Sequence, residues 1–130
     1  MDTNAYLEIR YQDRGRGPGY DCWGLVWLIY QRELGISLPS YSDEYPDSDA
    51  GDAIQTVIDD QIRAWIPVES PRLYDLVILK ILGKRMHCGI VIDDRNFMHC
   101  LGGAGVSIER FGDKRWCRRI SGIYRHAENL

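Results

Sequence analysis

The sequence has no apolar run that approaches the roughly 18–20 residues a membrane-spanning helix needs. It also shows no signal peptide, because its first ten residues, MDTNAYLEIR, carry two acidic side chains and no apolar core. We therefore expect a chain that is made in the cytoplasm, has no membrane partner, and needs a carrier for any work outside the cell.

An excess of positive charge is also missing. The 130 residues carry 16 Lys and Arg against 19 Asp and Glu, a net charge of -3, which argues against a dedicated nucleic-acid binder.

The length is typical of one domain, and we predict a single domain that covers residues 1–130. Residues 43–60 are acidic and residues 110–125 are basic. Both segments could simply face solvent, or the basic one could dock an acidic partner.

The cysteines lack the C-x-x-C spacing of many zinc sites, and a cytoplasmic chain of this size needs no disulfides. The pairs His87-Cys88 and His99-Cys100 offer four nitrogen and sulfur ligands. Neighbouring residues of a strand point to opposite faces, however, so each pair is poorly placed to bind one ion. We expect no metal and no cofactor, with Cys88 and Cys100 packed as small apolar residues under a sheet.

The pattern of apolar residues predicts helices first and strands afterwards. A helix begins after the N-cap Asp21 and ends near Gly35, and a second helix covers about 51–64. Five short Val- and Ile-rich segments bounded by turn signals then predict strands: 74–82, 87–93, 96–101, 105–111 and 118–125. This order is typical of an α+β fold with an antiparallel sheet.

Cys22 lies in the first turn of the first predicted helix. Unpaired N–H groups and the helix dipole favour negative charge there, which lowers a thiol pKa and could also stabilise an oxyanion. On its position alone, Cys22 is either a nucleophile or a structural cysteine. Gly24, two residues later, is predicted to let the helix pack close to the histidine strands.

His87 and His99 lie on two predicted strands joined by a tight turn. A lone strand histidine is more often structural, but two on neighbouring strands fit a catalytic base and the residue that orients it. They share a face of the sheet only if the turn has an odd number of residues. We therefore predict a three-residue turn, 93–95, that pairs Gly89 with His99 and places His87 diagonally beside it.

The chain resembles the NlpC-type cell-wall peptidases, a papain-like cysteine peptidase family. The matching stretches are DCWGLVWLIYQRELGISLP (21–39), YDLVIL (74–79), HCGIVIDDRNFMHC (87–100) and RISGIYR (119–125). The tryptophan after the cysteine, the LGISLP ending and the SGIYR tail are most similar to versions encoded in bacteriophage tail-assembly clusters. The resemblance implies a papain-like NlpC fold, with N-terminal helices on a five- to six-stranded antiparallel sheet and the nucleophile at a helix N-terminus.

The same resemblance implies the roles of individual residues. Cys22 is the nucleophile, His87 the general base and acid, and His99 the residue that orients His87. Tyr11 contributes its hydroxyl to the oxyanion hole, with Tyr20 as a substitute. Residues beside the nucleophile are expected to bind substrate: Asp21, Trp23 and Tyr20.

The implied substrate is a peptidoglycan stem peptide, cleaved between D-isoglutamate and a diamino acid. Cellular members commonly carry Ser at the position of Trp23, so the large indole puts the substrate in question. We expect a protein made in the host cytoplasm, carried in the virion tail with other tail-tip proteins, and acting at the cell wall. A non-enzymatic docking protein with this fold, or an amidase or acyl hydrolase with another substrate, are the alternatives.

Overall fold

The structure is a computed structural model that describes residues 1–47 and 50–129. It contains the α-helices α1 (Cys22–Ile29) and α2 (Gly51–Ile62), the first continued by a π-helical turn (Tyr30–Leu34). The strands are β1 (Ile66–Val68), β2 (Leu76–Ile81), β3 (Lys84–Val91), β4 (Asn96–Leu101), β5 (Gly105–Arg110) and β6 (Ile120–Arg125). The predicted order of helices before strands is confirmed. No helix among the described residues is both long enough and apolar enough to cross a membrane.

The six strands form one antiparallel sheet in the order β1-β6-β2-β3-β4-β5. Five of them correspond to the predicted strands. The sixth, β1, pairs with β6 at the edge of the sheet and was not predicted. Its three residues include Pro67, which lacks an N–H donor and is tolerated in a strand only at such an edge.

Both helices pack against the sheet, α1 on β3 and β4 and α2 on β3. The main core lies between α1 and the sheet, where Leu25, Val26 and Ile29 contact the inward face. A smaller cluster covers the opposite face and consists of Val77, Leu79, Val91, Phe97 and Trp116. Because strand residues alternate between faces, β2 is buried on both sides, which explains its continuous apolar run Leu76–Leu79.

The first helix begins and ends where the sequence predicts. The Asp21 carboxylate accepts a hydrogen bond from the Gly24 N–H, 2.7 Å away, as an N-cap does. At the other end Gly35 adopts a left-handed conformation with φ of 66°, and its N–H donates to the Tyr30 carbonyl. The cap thus fixes the first turn, and with it the backbone position of Cys22.

The turn between β3 and β4 has the predicted odd length. Ile90 pairs with Met98 and Val91 with Phe97, and the Ile92 N–H donates to the Asn96 carbonyl at 2.9 Å. That register leaves 93–95 as the turn, and the Asp93 side chain accepts from the N–H groups of residues 95 and 96 at 2.8 and 2.9 Å. The prediction that both histidines share one face is therefore confirmed.

Candidate active site

The Cys22 side chain is only partly exposed, at the N-terminal end of α1. The Asp21 carboxylate beneath it, 4% exposed, also accepts from Arg16 at 2.8 Å and from the Tyr45 hydroxyl. Arg16 in turn donates to the Ser40 carbonyl at 2.5 Å. Asp21 therefore ties the loops before and after α1 to the first turn that carries the cysteine. Both of its oxygens are engaged inside the fold, and its predicted contact with substrate stays a prediction.

Gly24 lies against the loop before the helix. A side chain at this position would collide with the Gly15 carbonyl and crowd the Arg16 guanidinium. The prediction that Gly24 lets the helix approach the histidine strands is wrong. Its missing side chain instead allows the 15–16 loop to reach the Asp21 cap.

Two histidines and a glutamate form a line of hydrogen bonds behind the cysteine. The Nε2 atom of His87 is 2.9 Å from Nδ1 of His99, and the Nε2 atom of His99 is 3.0 Å from a carboxylate oxygen of Glu109. His87 and His99 are 6% and 0% exposed. His87 also interacts with the Cys22 thiol. The structure thus brings together the three residues predicted to form the catalytic set and adds Glu109.

The neighbours of Cys22 favour its thiolate. The Cys88 thiol hydrogen-bonds to the Cys22 sulfur and, together with His87, holds the pKa of Cys22 well below its ordinary value despite burial. The pKa of Cys88 is raised in turn, first by Cys22 and then by burial. The more acidic thiol of the pair is therefore the one beside the imidazole, as a nucleophile requires.

Cys88 was predicted to be a small apolar residue under the sheet. That prediction is confirmed, since Cys88 is fully buried in the main core, and Cys88 is in addition a hydrogen-bonding neighbour of Cys22. A hydrogen bond from the Cys88 backbone also lowers the pKa of Cys22, so the Cys22 sulfur lies beside the β3 backbone. From there it contacts both residue 87 and residue 88, although their side chains point to opposite faces of the sheet. Cys100 is buried and its thiol donates to the Tyr20 carbonyl at 3.2 Å.

Replacing Cys88 by alanine is expected to shift the alkylation of Cys22 to higher pH. The variant removes a thiol donor that stabilises the Cys22 thiolate. Because such a bond is worth about 0.5–1.5 kcal/mol, alkylation near pH 6 should slow about two- to tenfold. The measurement is iodoacetamide labelling of the Cys22 peptide as a function of pH, read by mass spectrometry. Cys100→Ala is the matched control, since the Cys100 thiol donates to Tyr20; an unchanged profile in Cys88→Ala would contradict the assignment.

Trp116 covers the histidine pair. Its ring stacks on His87 with centroids 6.3 Å apart and meets the edge of His99 at 4.7 Å. It is 4% exposed, and its indole Nε1 has no hydrogen-bond partner among the described residues. An unsatisfied buried N–H costs about 1–3 kcal/mol. Despite this cost, the Trp116 ring lies over both histidines and excludes water from the hydrogen bond between them.

A cavity of about 210 Å³ opens beside Cys22 and His87. Its walls are largely apolar and come from α2 and the inner face of the sheet, and Trp23 and Tyr41 also line it. The Trp23 indole donates to the Pro39 carbonyl at 2.8 Å, so this side chain fixes the loop after α1 as well as lining the cavity. Trp23 is 7% exposed, and its predicted contact with substrate stays a prediction.

The two predicted tyrosines occupy different places. Tyr11 lines the cavity with Cys22, and its hydroxyl donates to Asp13 at 2.9 Å. Tyr20 holds the backbone of the preceding loop through bonds to residues 10 and 12, and its hydroxyl lies near Gly17. Of the two, only Tyr11 lines the cavity. Its part in an oxyanion hole and the predicted contact of Tyr20 with substrate stay predictions.

Known proteins share this architecture. A model of the NlpC/P60 family matches residues 8–125. The chain belongs to the NlpC/P60 family. The Escherichia coli K12 protein named murein DD-endopeptidase MepS/murein LD-carboxypeptidase is 25% identical over 123 residues, which are 93% of this chain and 58% of that protein. The chain thus spans little more than half the length of the curated relatives it matches.

Solved structures of the NlpC/P60 family have the same fold. The NlpC/p60 domain of the peptidoglycan hydrolase SagA aligns with a TM-score of 0.64 and 17% identity, over 94% of this chain and 91% of that one. A protein of the NLP/P60 family from Staphylococcus aureus aligns with a TM-score of 0.63 and 20% identity, over 95% and 38%. At these identities the comparison shows the fold, and the predicted papain-like α+β architecture is confirmed.

Two residues of this NlpC/P60 site were missed from the sequence. Glu109 pairs across β4 and β5 with Phe97, so it shares a face with His99, whose own partner is Ser107. Alternation along GVSIER would have placed Glu109 on that face, but only once the register of β5 was known. Trp116 lies in the connection between β5 and β6, where no local pattern indicates which side chains it covers.

Within the described residues, no group of three or more His, Cys, Asp or Glu side chains is arranged to hold a metal ion.

Proposed function

We propose that this NlpC/P60 chain is a cysteine endopeptidase that cleaves peptidoglycan stem peptides between D-isoglutamate and a diamino acid. The observation that carries the proposal is the Cys22–His87–His99 set: the Asp21 cap holds Cys22 at the tip of α1, and His87 lies between its thiol and His99. The family and the names of its relatives, a murein endopeptidase and a peptidoglycan hydrolase, support the substrate class.

The chemistry follows from the positions of the side chains. His87 accepts the Cys22 proton, and the thiolate attacks the scissile carbonyl carbon to form a tetrahedral oxyanion. The first N–H groups of a helix can hold that oxyanion. The N–H groups of Gly24 and Leu25 are bonded to Asp21, which leaves those of Cys22 and Trp23 for this task.

The second half of the reaction regenerates the enzyme. The protonated His87 gives its proton to the leaving amine as the carbon–nitrogen bond breaks, and a thioester on Cys22 remains. Water, deprotonated by His87, then attacks the thioester carbon, the carbon–sulfur bond breaks, and the Cys22 sulfur leaves and takes the proton back from His87 as the new acid is released. His99 holds the His87 ring in one orientation through both steps, as the third residue of a serine triad does.

Digestion of defined stem peptides tests the proposal. The tripeptide L-Ala-D-isoGlu-diaminopimelate is incubated with the protein, and the products are identified by mass. We expect the dipeptide L-Ala-D-Glu and free diaminopimelate. The same peptide with an L-isoglutamate is the matched control and should stay intact. A D-isoglutamyl substrate that remains whole while another bond is cut would contradict the assigned specificity.

The apolar cavity beside Cys22 favours one second candidate, an amidase or acyl hydrolase that takes a less polar substrate. The same nucleophile would attack an acyl group whose hydrocarbon part occupies the cavity. Hydrolysis of p-nitrophenyl esters with acetyl to octanoyl chains, measured beside the stem peptide, separates the two. A rate that rises with chain length, without stem-peptide cleavage, would favour the second candidate.

We also propose that the protein works as part of a phage tail and meets other tail-tip proteins there. The support is the similarity of the LGISLP ending and the SGIYR tail to phage tail-assembly versions of the family. Mass spectrometry of purified virions of the parent phage, with and without the tail, tests this placement. Peptides of this chain in tailless particles alone would contradict it.

A further inference from the structure

The Glu109 side chain is built into the histidine line. Its carboxylate oxygen lies 3.0 Å from His99 Nε2, and the Ser107 hydroxyl donates to the same oxygen at 3.2 Å. The other oxygen is 3.6 Å from an Arg115 nitrogen. Only 11% of the Glu109 side chain is exposed, and the His99 side chain is fully buried. A carboxylate held by three neighbours in this way has a fixed position relative to the imidazole.

Glu109 decides which nitrogen of His99 carries the hydrogen. A carboxylate only accepts hydrogen bonds, so the facing His99 Nε2 must be the donor. Burial, followed by the neighbouring His87, lowers the pKa of His99 to about 4, so near neutral pH this ring has a single hydrogen and its Nδ1 is an acceptor.

The tautomer of His99 determines the tautomer of His87 through the hydrogen bond that joins the two rings. Since His99 Nδ1 accepts, His87 Nε2 must donate across the 2.9 Å between them. The nitrogen of neutral His87 that is left to interact with Cys22 is Nδ1, and it has no hydrogen. That nitrogen can take the proton from the thiol. With the opposite tautomers, His87 would present an N–H to the thiol and could not act as the base.

We propose that Glu109 is a fourth, positioning residue of the site, which selects the base-competent tautomer of His87 through His99 and stabilises the positive charge that His87 acquires. The proposal rests on the proposed cysteine-peptidase function. The charged and titratable groups that face Glu109 are His99 from β4 and Arg115 from the segment after β5. Arg115 also forms an ion pair with Asp113, whose carboxylate oxygen is 3.7 Å from its Nε. His99 meets His87 on its other side, and His87 meets Cys22.

Glu109→Gln is the variant that tests the role. Glutamine has nearly the same shape but offers both an acceptor and a donor, so either tautomer of His99 becomes possible. We expect kcat on the stem peptide to fall at least about tenfold while KM stays unchanged, because general-base catalysis is lost and binding is not. Iodoacetamide labelling of the Cys22 peptide near pH 6 should slow to a similar degree, because the thiolate–imidazolium pair loses a stabilising negative charge.

Two further variants separate this role from a structural one. Ser107→Ala removes a hydrogen bond to the same carboxylate oxygen but keeps the charge and the acceptor, and should slow labelling less than Glu109→Gln does. Glu109→Asp keeps a carboxylate and should recover part of the lost rate. Equal rates and equal pH profiles in Glu109→Gln and the parent protein would overturn the proposal.

Labelling does not depend on the substrate, so a slowed Cys22 reaction in Glu109→Gln would support the proposal even if no stem peptide were cleaved. Should Glu109→Gln fail to fold, the ¹⁵N shifts of labelled histidine in the parent protein report the tautomer directly. We expect His99 with its hydrogen on Nε2; a hydrogen on Nδ1 would overturn the proposal.

Discussion

Cys22→Ala is expected to reduce stem-peptide cleavage by on the order of 10⁴-fold or more, because the neighbouring thiol of Cys88 is fully buried and its raised pKa keeps it protonated. The fold should be retained. Cys22 is partly exposed, alanine favours a helix, and the Asp21 cap does not involve the replaced side chain. The free energy of unfolding should therefore change by less than about 1 kcal/mol.

The cleavage rate and the free energy of unfolding are measured on the same preparation of Cys22→Ala. Cleavage is followed by mass spectrometry of the stem peptide, and stability by urea unfolding. Cys117→Ala is the matched control, since Cys117 is exposed and far along the chain in the β5–β6 connection. Its activity should equal that of the parent protein. Undiminished cleavage by Cys22→Ala would remove this cysteine from the mechanism.

His87→Ala is expected to lower kcat by about 10³-fold or more, and His99→Ala by only about 10- to 100-fold. His87 accepts and returns the proton and helps to hold the Cys22 pKa down, so its loss removes both the base and the thiolate. His99 acts through His87, to which it is joined at 2.9 Å. Without His99 the His87 ring keeps its chemistry but loses its fixed orientation.

The order of the two effects is the decisive result. Both variants are assayed for kcat on the stem peptide and for labelling of Cys22 with iodoacetamide across pH. His99→Asn, which keeps a side-chain hydrogen-bonding group, should be more active than His99→Ala. A larger loss in His99→Ala than in His87→Ala would exchange the roles given to the two histidines.

The local parts of this site were predictable because short-range rules decide them. An aspartate before an apolar stripe caps a helix, and that placed Cys22 in a first turn. The period of two along a strand, with a three-residue turn, placed His87 and His99 on one face. Both predictions needed only residues within about fifteen positions of each other in the chain.

The same rules failed where the decisive neighbours are distant in sequence. Cys88 is buried under the sheet as predicted, but alternation along β3 did not indicate that the Cys22 sulfur would lie beside it. Gly24 was expected to make room for the sheet, and it makes room for the 15–16 loop. In each case the position of a third segment decided the contact, and periodicity along one element carries no information about that segment.

The sequence by itself determined the α+β order, the capped helix that presents Cys22, and the shared face of the two histidines, because each depends on backbone geometry over a few residues. Only the tertiary structure decided what surrounds them: Glu109 on His99, Trp116 over both rings, and Cys88 against the nucleophile. These contacts set the acidity and the tautomers of the site. They depend on the register of β5, on the path of the connection after it and on the approach of α1 to β3, all of which are fixed by packing between distant parts of the chain.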